Sequence, residues 1–198
     1  MIPGRFMALV AALLLVAAAL VPIAWAGEPA DQLSAQIALV LKVVDDPELR
    51  KPGREQERRQ ALLGVAREIL DIEEFSRRTL GRHWEARTAA EREEFMQLFG
   101  DLLERLYIGK LETYSDEKIM FLGDTSEGDL ATVQTKIVTK QGTEIPVEYR
   151  MLRRGDHWRA CDVVIGGISL VANYRAQFDK IIRRTSYQQL VKQVREKQ

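Results

Sequence analysis

The residues able to act as acids, bases, nucleophiles or metal ligands are few in this chain and far apart. His83 and His157 are the two histidines, and neither has a cysteine or a carboxylate pair at the short spacing that a metal site needs. Cys161 is the single cysteine. Beside it, Asp162 has the best claim to be a buried acid, but a lone strand carboxylate reads as a hydrogen-bonded structural group before it reads as a catalyst. Ser169 follows Gly166-Gly167-Ile168 and stands ahead of an amphipathic run, where a serine serves as a helix cap. There is no G-x-S-x-G elbow, P-loop or dinucleotide fingerprint. The expectation is a protein that is not an enzyme, with no metal and no cofactor.

The elements that would position these residues can be read from periodicity. Leu33, Ile37, Val40, Leu41 and Val44 recur at helical spacing, and Asp45-Asp46-Pro47 stops that helix. After Lys51-Pro52-Gly53 a second helix places Leu62, Val65, Ala66, Ile69 and Leu70 on one face. Its charged run Arg54-Glu55-Gln56-Glu57-Arg58-Arg59 reads as a solvated face. Asp71 caps a short helix that ends at Leu80-Gly81. Thr88 and Glu91 form a capping box for a helix whose stripe is Phe95, Leu98, Phe99, Leu102, Leu103 and Leu106. Beyond Tyr114 the pattern alternates, predicting strands over Ile119–Leu122, Leu130–Thr139, Glu144–Arg153 and Trp158–Val164. Gly123-Asp124 and Gly128, Gln141-Gly142, and Gly155-Asp156 supply the turns. Pro146 cannot donate to a ladder, which predicts an edge or a bulge there. Helices over Ser169–Arg184 and Ser186–Lys197 close the chain. The expected fold is α+β: a four-stranded antiparallel sheet with a helical layer on one face.

Residues 1–26 read as a cleaved secretory signal peptide, with Arg5, an uncharged Ala/Leu/Val run and Ala24-Trp25-Ala26. No cysteine follows to carry a lipid anchor. Residues 27–198 suit a single domain, with helices over 29–114, strands over 118–164 and helices over 169–197. The full chain carries 29 basic and 29 acidic residues; loss of Arg5 leaves 28 against 29, a net charge of −1. That balance speaks against nucleic acid as a partner. A single cysteine leaves no internal disulfide, so stability rests on packing.

Two apolar faces stand out. The sheet contributes Val133, Thr135 and Ile137, then Ile145, Val147, Tyr149 and Met151. The helical half contributes Phe75, Leu80, Trp84, Phe99, Leu103, Tyr107, Ile168, Val171 and Tyr174. On periodicity alone these form an ordinary core between sheet and helices, and the same pattern would line a cavity. Arg175 and Lys180 lie on the helix after Ser169 and suit a solvated face, a head group or a docking partner.

Three stretches carry a resemblance. They are ILDIEEFSRRTLGRHW, EREEFMQLFGDLLERLY, and Tyr149 to Phe178, read as YRMLRRGDHWRACDVVIGGISLVANYRAQF. The positions concerned are Phe75, Leu80, Gly81, Trp84, Phe95, Phe99, Leu103 and Tyr107, then Tyr149, Trp158, Asp162, Val163, Ser169, Leu170, Asn173, Tyr174, Arg175 and Phe178. In this order they resemble the MlaC, or toluene-tolerance auxiliary, family of periplasmic phospholipid-binding proteins. Gly166 departs from the pattern, because the family often has an acidic residue before the glycine.

The resemblance implies an apolar pocket between helices and sheet that encloses the acyl chains of a diacyl phospholipid. Its lining would be Phe75, Leu80, Trp84, Phe99, Leu103, Tyr107, Val133, Val147, Tyr149, Met151, Ile168, Val171 and Tyr174. It also implies a monomeric periplasmic carrier. The partners would be an inner-membrane MCE-domain protein of an ABC transporter and an outer-membrane lipoprotein complex. A hopanoid or other lipid as ligand, and a structural adaptor of an ABC transporter with a filled core, are the alternative readings.

Overall fold

The computed structural model describes residues 28–112 and 117–196, with no account of the side chains of 110–112. The signal segment lies outside the described residues. The chain folds as α1 (Glu28–Val44), α2 (Glu55–Ile69), α3 (Ile72–Leu80), a 3-10 turn at Gly81–His83, and α4 (Ala89–Glu112). Then come β1 (Lys118–Glu127), β2 (Leu130–Val138), β3 (Glu144–Arg154), β4 (His157–Ile165), β5 (Ile168–Ser169), α5 (Leu170–Arg184) and α6 (Tyr187–Glu196).

The helix ends follow local chemistry. Asp71 accepts the Glu74 N–H at 2.9 Å and caps α3; Gly81, at φ 52°, ends it. At α4 the capping box is complete: the Glu91 N–H donates to Thr88 Oγ1 at 3.2 Å, and the Thr88 N–H donates to the Glu91 carboxylate at 2.8 Å. Ser169 accepts the Ala172 N–H at 3.0 Å and caps α5. Ser186 likewise accepts the Gln189 N–H at 3.1 Å ahead of α6.

The sheet has five strands in the order β1-β2-β3-β4-β5, not four, every neighbour antiparallel. The additional strand, β5, forms because Gly166 and Gly167 both take positive φ and fold Ile168 back onto Ile165. Ile168, expected on the helical side, therefore belongs to the sheet. β1 is longer than expected. Gly123, at φ 131°, takes up a bulge rather than a turn, so the strand continues to Glu127. Pro146 sits in a central strand at a locally open position. It pairs with Lys136 of β2, while β4 has already turned away and the Gly166 N–H donates to the Pro146 carbonyl at 2.9 Å. The side of β3 that lacks an N–H thus faces the end of β4.

Helices cover one face of the sheet in two groups. α1 and α2 pack together and onto the strands, forming a core of Leu33, Ile37, Leu62, Val133, Met151 and Trp158. The Asp71 N–H donates to the Ala160 carbonyl at 2.9 Å, tying the α2–α3 junction to β4. α3, α4, α5 and α6 enclose a second core built around Phe75, Phe95, Phe99, Tyr174 and Phe178. Within the described residues, α4 packs on α2, α3 and α6 and, through Phe95 and Phe99, on the rings of α5, with no strand lying comparably near.

Candidate functional site

Antiparallel register sorts the strand side chains. Ile119, Ile137 and Ile145 lie opposite one another, as do Phe121, Thr135, Val147, Ile165 and Ile168. Tyr149 lies between Val133 and Val163. These residues share the face of Val133, which is fully covered by helices. Exposure rises along this face. Val133, Thr135 and Val147 are buried, Ile119, Phe121, Ile137 and Ile145 half-buried, and Ile168 is 62 % exposed. The hydroxyl of Thr135 donates to the Val147 carbonyl at 3.0 Å, so this polar side chain is satisfied within the sheet.

The expected lining residues fall into two sets. Phe75, Leu80, Trp84, Phe99, Leu103, Val171 and Tyr174 belong to the all-helical cluster, with Tyr107 packed against it. Phe99 is enclosed by rings, with centroids of Phe95, Phe178 and Tyr174 at 5.6, 5.6 and 5.2 Å. Val133 and Met151 belong to the sheet cluster, with Tyr149 packed against it. Val147 is buried in the strip that runs out from that cluster, and Ile168 stands at its exposed end. The clusters meet at the C-terminal half of α4, where Tyr107 packs on the first and Ile108 belongs to the second. They also meet on β4, where Val163 packs on the first and Ala160 belongs to the second.

A groove of about 430 Å³ opens between α4 and α5, lined by Leu102, Leu106, Asn173, Tyr174 and Gln177. At its floor Tyr174 hydrogen-bonds with Tyr107, and burial together with that bond raises the Tyr174 phenol, keeping it neutral. A larger hollow of about 580 Å³ between α4 and α6 includes Glu91, Glu94, Lys192 and Arg195, a set too polar to hold an acyl chain.

The polar candidates have structural work. Asp162 accepts the Ser169 hydroxyl at 2.6 Å, the Val171 N–H at 3.1 Å and the Arg150 guanidinium at 3.3 Å, anchoring the start of α5 to β4. The Cys161 thiol donates to the Arg150 carbonyl at 3.3 Å, and burial raises its pKa, leaving it protonated. His83 meets Asp179 at 2.8 Å, beside Arg82, while His157 begins β4 on the exposed edge of a turn. Arg175 donates through Nε to the Arg78 carbonyl at 2.7 Å, a bond from α5 to the last turn of α3, where helix carbonyls lack intrahelical donors. Among the described residues no three His, Cys, Asp or Glu side chains converge as a metal site. No helix among them is long and apolar enough to cross a membrane.

Sequence reasoning left Ile119, Phe121, Ile165, Leu102 and Leu106 out of the site. The first three continue the alternation of residues that it did select. Leu102 and Leu106 were legible as part of the α4 stripe, but only the packing of α5 shows that they flank a groove.

Fold and site together define an α+β domain that presents an apolar strip beneath helices. The sequence profile described as "MlaC protein" matches residues 35–196, so the chain belongs to the MlaC family. It is 27% identical over 107 residues to the intermembrane phospholipid transport system binding protein MlaC of Haemophilus influenzae, covering 52% of this chain and 50% of that protein. It is 24% identical over 122 residues to the toluene tolerance protein ttg2D of Pseudomonas putida, covering 61% of this chain and 53% of that protein. The chain thus spans about half the length of the curated relatives it matches. The phospholipid-binding protein of Ralstonia solanacearum, solved in complex with a phospholipid, has the same fold. The TM-score is 0.77 at 22% identity, over 86% of this chain and 97% of that one.

Proposed function

We propose that this protein is a periplasmic carrier that encloses the acyl chains of a phospholipid between its sheet and helices. It would pass the lipid between an inner-membrane MCE/ABC transporter and an outer-membrane complex. The observation that carries this reading is the strip Val133, Thr135, Val147, Ile165 and Ile168. It begins buried in the sheet cluster at Val133 and runs to the surface at Ile168, and its one hydroxyl, on Thr135, donates to the Val147 carbonyl. An acyl chain entering from Ile168 would follow Val147 toward Tyr149 and part the two clusters where Tyr107 and Ile108 divide them. Two relatives whose names include phospholipid transport or phospholipid binding support the choice of ligand.

Enclosure is what the chemistry of the cargo demands. Each methylene removed from water contributes about 0.8 kcal/mol, so two chains of about 16 carbons would resist crossing water by about 25 kcal/mol. A carrier that retains its cargo at that scale releases it slowly, which is why docking partners that open it belong to the proposal.

Native mass spectrometry of the mature protein, purified without detergent and followed by lipid extraction, is the test. The expected result is a one-to-one adduct that resolves to diacyl phospholipid. Ile165→Glu, at the exposed end of the strip, should lose the adduct while melting within a few degrees of the parent. A clean unliganded mass, together with failure to load from liposomes, would overturn the carrier reading. It would leave an adaptor with filled cores.

A further inference from the structure

α5 carries an uncompensated positive stripe beside the α4–α5 groove. Asn173, Gln177, Lys180 and Arg184 are spaced four, three and four apart, so they stack along one side of the helix, and all are exposed. The first two form the groove wall that faces Leu102 and Leu106; the last two extend the same line. Lys180 and Arg184 have no ion-pair partner among the described residues, although ion pairs are frequent elsewhere on this surface. Asp179, the acid on α5, is already held by Arg82 and His83, with Arg183 at 3.9 Å. Leu106, at the groove, is 47 % exposed.

We propose that the α4–α5 groove and the Lys180–Arg184 stripe form a docking site for a partner protein. The partner would present a short amphipathic segment whose apolar side chains are flanked by carboxylates. Leu102 and Leu106 are one helical turn apart on the groove wall, with Leu106 exposed, so they suit apolar residues at helical spacing. Charge complementarity then places acidic residues against Lys180 and Arg184 and sets the direction of the segment. A membrane surface fits less well, because the apolar element here is a recess and not a protrusion. The inference extends the carrier reading to how such a carrier meets its partners, and it has its own readout.

The probe is a synthetic helical peptide of about 18 residues, about five turns. Leucines form one face with glutamates on its flanks, and a second version carries lysines in place of the glutamates. Binding to the mature protein would be followed by peptide fluorescence anisotropy across a salt series. The glutamate peptide should bind, weaken as salt rises, and lose at least about fivefold in affinity to the Lys180→Glu/Arg184→Glu variant. The lysine peptide should prefer that variant, and Leu106→Asp should weaken both peptides. Equal binding of both peptides to the parent, or no loss on charge reversal, would overturn the proposal. So would tighter charge-dependent binding to phosphatidylglycerol vesicles than to the peptide, which would assign the stripe to a membrane surface. The double variant should keep its lipid adduct in native mass spectrometry. Loss of the adduct with peptide binding intact would place these residues in the lipid site instead, whereas absence of adduct from the parent protein bears only on the carrier reading.

Discussion

Glu74 is a buried carboxylate on the first turn of α3, where burial alone would raise its pKa. Arg77 reverses that with a two-pronged contact at 2.7 and 2.8 Å, and Arg78 adds a third at 2.7 Å, lowering the carboxyl to about 2. A folded-state pKa below the unfolded value of 4.5 means that this stabilisation is fully present above about pH 4.5 and is lost as pH falls toward 2. Glu74→Gln should therefore cost about 2 kcal/mol at neutral pH, and its melting temperature should converge on that of the parent at the acid end. A pH series of thermal melts checks this; a constant gap down to pH 2 would sink it. Asp162 is also buried, and it accepts from the Ser169 hydroxyl, the Val171 N–H and the Arg150 guanidinium. Its three donors make it a structural anchor, and Asp162→Ala should lower stability by about 2 kcal/mol by orphaning the Ser169 hydroxyl and the Val171 N–H.

Elements here are joined at a few points where one residue has no substitute. Gly81 ends α3 with φ 52° and ψ −125°, a conformation that side-chain-bearing residues rarely adopt. An added Cβ would also meet Cδ of Arg175 at 3.4 Å, the side chain that caps α3 from α5. Gly81→Ala should destabilise by about 1–2 kcal/mol, a fall in melting temperature of about 3–6 °C for a domain of this size. It should also loosen the α3–α5 contact. Hydrogen exchange would show this as faster amides at the ends of both helices, whereas a change confined to α3 would mean that the two are not coupled. The Ser169 cap is a smaller case of the same kind, with Ser169→Ala expected to cost about 1 kcal/mol.

At the scale of the whole molecule, one sheet serves two helical groups. The α1–α2 pair covers Val133 and Met151, while the α3–α6 bundle is largely its own core around stacked phenylalanines. The packing of the bundle is thus largely independent of the sheet, to which Asp71 and Asp162 tie it at β4. Cargo bound only to the folded state raises its stability by mass action. Lipid-loaded protein should thus melt at a higher temperature than the same protein after delipidation, and reloading from liposomes should restore the difference. Identical melting curves with lipid demonstrably bound would mean that the lipid does not contribute to folding.

Much of this was written in local periodicity and turn chemistry. Asp71, Thr88 and Ser169 each marked a helix start, because capping depends on neighbours within four residues. Alternation from Val133 to Met151 placed the inward face of β2 and β3, because strand side chains switch sides at each step. The short strand β5 and the long β1 escaped, since a glycine looks alike in a turn, a bulge or a two-residue hairpin until its dihedral angles are known. Tertiary structure alone divided the apolar residues between two clusters. It set Phe99 among rings and left Ile168 exposed. It alone brought Asn173 and Gln177 beside Leu102 and Leu106, residues about 70 positions apart in the chain whose approach depends on helix packing geometry. Periodicity records which side of an element is apolar; what that side meets is decided by long-range packing, which no local pattern encodes.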